Sequence, residues 1–301
     1  MTVHRSWLYV PGDRPDRVGK AIASAADAVV VDLEDAVPPA RKDLARQTVV
    51  DLVADSDPST LERVWVRVNA PTSPWGGADV AAVAGLPLAG LRLPRAADPQ
   101  QVREVAEATG LPLQLIVETA AGLTRAVELA TAHPLVAGIG LGESDLGADL
   151  RVTDDAGLDW ARGQIVVAAR AAGLPSPVQS VWTNVRDLDG LRASTLRGRA
   201  MGFLGRSVVH PSQIPTVHEV FTPSAEEVAS ARAIIAAAEA AREQGEVAIL
   251  DEAGRFIDPA VVDRAAVITD LADSLATYTH VTDTLPTDDR TADTLNAQEN
   301  P

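Results

Sequence analysis

Two short apolar runs in the middle of the chain each end abruptly in carboxylates. LQLIVET closes on Glu118, and AGIGLGESDLGADL carries Glu143 and Asp145 directly after its apolar part. Runs of this length, bounded by Gly and polar residues, read as buried parallel strands. A carboxylate at the end of such a strand lies where open α/β sheets and α/β barrels place their chemistry. Two of them fit a hard divalent cation held by oxygen ligands, with Mg²⁺ the first choice. Alternatively, each carboxylate charges the N-terminus of the helix that follows.

The elements that must position these residues recur along the chain. Strand-like runs occupy 7–10, 28–33, 64–68, 91–93, 113–117, 136–141, 178–181 and 203–209, with amphipathic helical stretches between most of them. Eight strands alternating with helices predict a (β/α)₈ TIM barrel over residues 1–220. A doubly wound sheet competes, but no GxGxxG opens any of the helices. Beyond the barrel, 221–276 forms a C-terminal helical and hairpin appendage. It holds an Ala-rich helix capped by Ser224 with Glu227 in a capping box, a hairpin around 252–254, and a last helix. The polar stretch 277–301 reads as a disordered tail.

A barrel rim lists its functional residues at the strand ends. These are Arg14 and Arg17 after the first strand, Asp32, Glu34 and Asp35 after the second, and Arg67 and Asn69 at the third. Pro94 and Arg95 follow the fourth, Glu118 the fifth, Glu143 and Asp145 the sixth, Thr183 and Asn184 the seventh, and His210 the eighth. Carboxylates and arginines on one rim suit a metal together with an anionic substrate. In VWVRVN the valines alternate, so Trp65, Arg67 and Asn69 share the other face. A charge on the inner face of a barrel needs a partner, and a substrate carboxylate would supply one; a structural ion pair would do so too. His210 reads as a capping or packing residue.

Composition narrows the class. The chain has 301 residues, 46% hydrophobic and 23% charged, enough for one large domain or two small ones. A net charge of −16 argues against nucleic acid or an anionic membrane as the main partner. With no cysteine, thiolate nucleophiles, disulfides and zinc–sulfur sites are excluded. No leader-like apolar core or long apolar run appears, so a cytoplasmic protein is expected.

In order and spacing, RSWLYVPGDRPDR, DAVVVDLEDAV, VRVNAPTSPWGGAD, IVETAAGL, GESDLGADL, GRSVVHPSQI, FTPSAEEVASA and GRFID resemble the citrate lyase β-subunit and malyl-CoA lyase group of the HpcH/HpaI aldolase superfamily. The resemblance implies a Mg²⁺-containing TIM barrel, usually trimeric, that cleaves a 3-hydroxyacyl-CoA to an acyl-CoA and a 2-oxo acid. It makes Glu118 and Asp145 the metal ligands and Arg67 the grip on the 2-oxo acid carboxylate. Glu34 and Asp35 become the acidic pair that holds metal-bound water. Asp258, in GRFID, becomes an aspartate delivered to a neighbouring subunit's site, and Arg14 and Arg17 fall near the CoA phosphates. Where members of the group often carry Asp-Gly and Lys, this chain has Gln179-Ser180 and Arg206. Open alternatives are a malyl-CoA-type thioesterase, a CoA-independent metal aldolase, a non-catalytic CoA-binding subunit, and an acyl-carrier protein in place of CoA.

Overall fold

The computed structural model describes residues 3–246, 248–250 and 254–282. The chain divides into two compact units, His4–Phe221 and the part from Thr222 onward. The first is an α/β unit built on a curled, wholly parallel seven-stranded sheet. Its strands are β1 (Ser6–Pro11), β2 (Ala28–Asp32), β3 (Val64–Arg67), β4 (Gly90–Leu93), β5 (Leu113–Val117), β6 (Val136–Leu141) and β7 (Arg206–Val208). They lie in the order β6-β5-β4-β3-β2-β1-β7. Parallel neighbours require crossovers, and helices such as Pro15–Ile22, Lys42–Asp55, Gly76–Val83 and Pro99–Thr109 supply them.

Strand alternation sorts side chains to two faces. Val29, Val31, Val66, Leu91 and Leu93 point to the helix side, where they pack with Val49, Val83, Val102 and Leu129 in the main core. A fully buried residue of this kind stabilises the fold by about 1.5–3 kcal/mol. The opposite face carries a second cluster of Trp7, Ala28, Val30, Trp65 and Val178. The arginines and carboxylates of the site continue this inner face toward the strand ends.

The expected strand at 178–181 forms a single parallel bridge, Gln179 to Arg206, rather than a ladder. Pro175 and Pro177 precede it and have no N–H to donate to a neighbouring strand. Its contact with β6 runs through a side chain: Ser180 Oγ donates to the Leu141 carbonyl at 2.5 Å. The last strand is also shorter than the expected 203–209. Gly205 stands at φ +85°, in the left-handed region, and a Cβ there would meet the His4 carbonyl at 2.3 Å. Extended pairing therefore begins only at Arg206.

The second unit holds the helix Ala225–Glu243, the antiparallel pair β8 (Ile249–Leu250) and β9 (Phe256–Ile257), and the helix Pro259–Thr282. The expected capping box is present: Glu227 N donates to Ser224 Oγ at 3.1 Å, and Ser224 N to Glu227 Oε2 at 2.8 Å. The last helix continues through Thr282, past the point where the sequence predicts a tail. The rest of that tail lies outside the described residues. Among the described residues no helix is long and apolar enough to cross a membrane.

Candidate active site

Asp32 closes β2 with its carboxylate buried. Its oxygens accept from the amides of Glu34 (2.9 Å) and Ala36 (3.0 Å), which fixes the loop that carries Glu34 and Asp35. Asp32 and Arg67 are register partners on β2 and β3. Arg67 donates from Nε and Nη2 to the two Asp32 oxygens at 2.7 Å each, a bidentate fork. Its Nη1 lies 3.1 Å from Glu34 and 3.4 Å from Asp35, and its guanidinium stacks over Tyr9 at 5.1 Å. The inner-face charge of Arg67 thus has protein partners of its own in Asp32, Glu34 and Asp35. Burial alone would lower the Arg67 pKa, but Asp32 and Glu34 outweigh it and hold the residue firmly cationic.

Glu34 is nearly buried. Desolvation pushes its pKa up to about 8 against the pull of Arg67, with Asp35, Glu118 and Asp32 adding to the rise. Glu118, at the end of β5, is pushed up to about 7, first by burial and then by the negative charge of Asp145. Its Oε1 accepts from the Arg95 amide at 2.9 Å. Arg95 is a non-glycine residue at φ +51°, a strained backbone position of the sort that clusters at functional sites. Its side chain reaches Asp145 at 3.5 Å and Glu118 at 3.8 Å. Gly142 leaves room beside Glu118, because a Cβ there would meet Glu118 Oε2 at 2.4 Å. Glu143 is diverted: Arg162 holds it at 2.7 Å and also pairs with Asp155 and Asp159.

One cavity of about 400 Å³ gathers most of the site, while Glu34 and Arg95 line a second one that shares Asp35 with it. Asp32, Asp35, Arg67, Arg92, Glu118 and Asp145 line the first, with Tyr9, Ser180 and Ser207 among its other walls. Arg14 and Arg17 are not among the lining residues. Arg14 makes an exposed pair with Asp16 at 3.4 Å, and Arg17 is exposed. Asp258 belongs to the second unit, where its Oδ1 accepts from Val261 N at 2.9 Å and caps the last helix. His210 caps as the sequence predicts, with Nδ1 accepting from Ser212 N.

The donor set suits Mg²⁺. Glu118 and Asp145 are two carboxylates crowded enough to raise the affinity of one of them for a proton, and a divalent cation relieves that crowding. No group of three or more His, Cys, Asp or Glu side chains arranged for a metal occurs among the described residues. A pair is what Mg²⁺ commonly takes from a protein, with water and substrate oxygens completing its shell.

Sequence reasoning passed over Arg92. It sits inside β4, beside Arg67 in register, and is 5% exposed. The signal was there: in GLRL, Leu91 and Leu93 face the helices, so the arginine between them must face inward.

Known proteins share this sequence pattern and fold. The model of the HpcH/HpaI aldolase/citrate lyase family matches residues 5–211. The chain belongs to that family. It is 37% identical over 279 residues to a (3S)-malyl-CoA thioesterase of Cereibacter sphaeroides, an alignment that covers 91% of this chain and 96% of the relative. It is 32% identical to the citrate lyase subunit beta of Leuconostoc mesenteroides subsp. cremoris, covering 90% and 94%. Among solved structures, the protein CitE of Mycobacterium tuberculosis in complex with magnesium, acetoacetate and coenzyme A superposes with a TM-score of 0.77 at 34% identity, covering 90% of this chain and 98% of that one. A citrate lyase beta subunit from M. tuberculosis complexed with oxaloacetate and magnesium gives 0.66 at 34% identity, covering 73% and 98%.

Proposed function

We propose that this family member is a Mg²⁺-dependent CoA-ester lyase that reversibly cleaves a 3-hydroxyacyl-CoA of the malyl-, citramalyl- or citryl-CoA type. The products are an acyl-CoA and a 2-oxo acid. The observation that carries the reading is one cavity in which a metal-competent carboxylate pair, Glu118 and Asp145, shares its walls with half-buried Arg67 and buried Arg92. The CitE structure with magnesium, acetoacetate and coenzyme A supports it. On this reading the seven strands and the 178–181 segment act together as a (β/α)₈ barrel.

In the cleavage direction the 3-hydroxyl loses its proton and the C2–C3 bond breaks. C3 becomes the oxo carbon, and the electron pair left on C2 takes a proton to give the acyl-CoA. When bound at Glu118 and Asp145, Mg²⁺ supplies Lewis-acid stabilisation of the negative charge on the oxo-acid oxygens. Arg67, held rigid by Asp32, adds fixed positive charge beside the reacting fragment at no reorganisation cost. Glu34 and Asp35 hold water at the site. Asp258 moves the proton at the acyl α-carbon, delivered from a neighbouring subunit of a homotrimer. Arg14 and Arg17, exposed after β1, meet the CoA phosphates.

A second reading has a specific observation behind it. The relative at 37% identity is named a thioesterase, and hydrolysis of the thioester would release CoA and a free hydroxy acid without breaking a C–C bond. An acyl-carrier thioester in place of CoA is a further version of the substrate. Incubation with malyl-, citramalyl- and citryl-CoA plus Mg²⁺, following 2-oxo acid and free CoA separately, decides among them. The lyase forms 2-oxo acid with acyl-CoA retained. Free CoA without 2-oxo acid overturns the proposal in favour of the thioesterase, and no turnover of any of the three overturns both.

A further inference from the structure

Arg92 is the unexplained charge of the cavity. It is 5% exposed on an inner strand face, and its guanidinium lies over the rings of Trp7 (5.2 Å) and Tyr9 (5.4 Å). Among the described residues its one side-chain hydrogen bond is from Nη1 to Ser207 Oγ at 3.1 Å, across the sheet on β7. Nε is buried with no acceptor. Its register neighbour Arg67 takes Asp32, Glu34 and Asp35, and among the described residues no carboxylate pairs with Arg92. Burial and the charge of Arg67 both work against its cationic form. A buried guanidinium without a counter-charge is costly, and side chains of this kind are normally paired. The carboxylates that line the cavity pair elsewhere, and none forms an ion pair with Arg92 among the described residues, which leaves this guanidinium to a ligand.

Resting on the lyase reading above, we infer that Arg92 binds a second carboxylate of the acid fragment and so selects dicarboxylic 2-oxo acids over glyoxylate or pyruvate. The 2-oxo-carboxylate end of the fragment is engaged by the Glu118–Asp145 site. Arg92 lines the same cavity over the rings of Trp7 and Tyr9, with Ser207 holding one edge of the guanidinium. A monocarboxylic fragment leaves Arg92 buried and unpaired, which penalises it. A fragment with a distal carboxylate gains a charge-assisted hydrogen bond in a poorly hydrated place.

The test is calorimetric titration of the full-length Mg²⁺-loaded protein with oxaloacetate and with pyruvate, alongside Arg92→Met. A preference of wild type for oxaloacetate of about 10–100-fold is expected from one charged hydrogen bond. Arg92→Met should erase that preference while leaving pyruvate and Mg²⁺ affinities unchanged. Where Arg92→Met does not fold, Arg92→Lys carries the comparison: it loses the planar fork, and the preference should shrink. A preference that survives substitution overturns the inference. So does a wild type with no preference, or an equal loss for both acids. An Arg92-dependent preference without thioester turnover upholds this assignment while sinking the lyase reading. Turnover without the preference does the reverse.

Discussion

Arg67 and Arg92 stand side by side in parallel register on β3 and β4, yet Arg67 is held by three carboxylates and Arg92 by none among the described residues. The two guanidiniums are therefore different instruments. Arg67 lines the cavity but is locked to Asp32 by a bidentate fork. Arg92 is left open toward the cavity.

Replacing Arg67 should cost stability as well as binding. Arg67→Met leaves the buried Asp32 carboxylate without its fork, and breaking a buried pair in this way costs about 3–5 kcal/mol. Arg67→Lys keeps the charge but not the bidentate geometry and should cost less. Denaturant unfolding measures both. A Met variant as stable as wild type would mean that the Asp32 pair contributes nothing to the fold.

Glu118→Ala and Asp145→Ala should each abolish Mg²⁺-dependent turnover while unfolding remains cooperative. On the proposed ligand assignment, removing one of the two carboxylates leaves Mg²⁺ with too few anionic oxygens to be dehydrated. Unchanged Mg²⁺ affinity in either variant, read by calorimetry, would reject the ligand assignment.

Proton linkage gives a third test. The folded-state pKa values of Glu118 (about 7) and Glu34 (about 8) lie above their ordinary 4.5. A raised carboxyl pKa means that the metal-free folded state binds more protons than the unfolded chain. These two groups therefore make it progressively less stable as pH rises from about 4.5 to about 8. Mg²⁺ binds the ionised form, so its affinity should climb over the same range with proton release near pH 7. Metal-free melting temperatures at pH 6 and 8, and calorimetry in buffers of different ionisation enthalpy, check both halves. A Mg²⁺ affinity that is flat across this range would be inconsistent with Glu118 as a ligand.

Asp27 acts in the opposite sense. Burial would raise its pKa, but hydrogen bonds from Arg5, at 2.7 Å from the amide and 2.9 Å from the guanidinium, together with His218, bring it below the ordinary value. Stability from this cluster is complete above the unfolded aspartate pKa and is lost as pH falls through the folded one. Asp27→Asn should flatten the acid limb of the stability profile, and an unchanged limb would place the acid sensitivity elsewhere.

The shared-site idea for Asp258 predicts complementation. Asp258→Asn and Glu118→Ala subunits, each inactive alone, should regain activity when mixed and exchanged. Demonstrated exchange without recovered activity rules the idea out, as does an active monomer.

The sequence made six of the eight expected strands legible in place, because each is a short apolar run bounded by Gly or polar residues. It overstated 178–181, where VQSV looks extended but the prolines before it leave only a bridge. Glu118 and Asp145 were visible as strand-end carboxylates. The Asp32–Arg67 fork was not, since it depends on which residues of β2 and β3 stand abreast. Arg92 was less legible as a site residue because it lies inside β4 rather than after it. Glu143 looked equivalent to Asp145 until Arg162, on a later helix, claimed it.

Ser180 joins the 178–181 segment to the end of β6 through its hydroxyl, which donates to the Leu141 carbonyl and accepts from the Glu143 amide, whereas the paired strands of the sheet are laced by their backbones. That makes this flank the loosest stitch in the cavity's circumference. Amides along it should be the first of the cavity wall to trade hydrogen for deuterium, and Ser180→Ala should hasten that exchange while leaving the opposite flank, around Asp32 and Arg67, as slow as before.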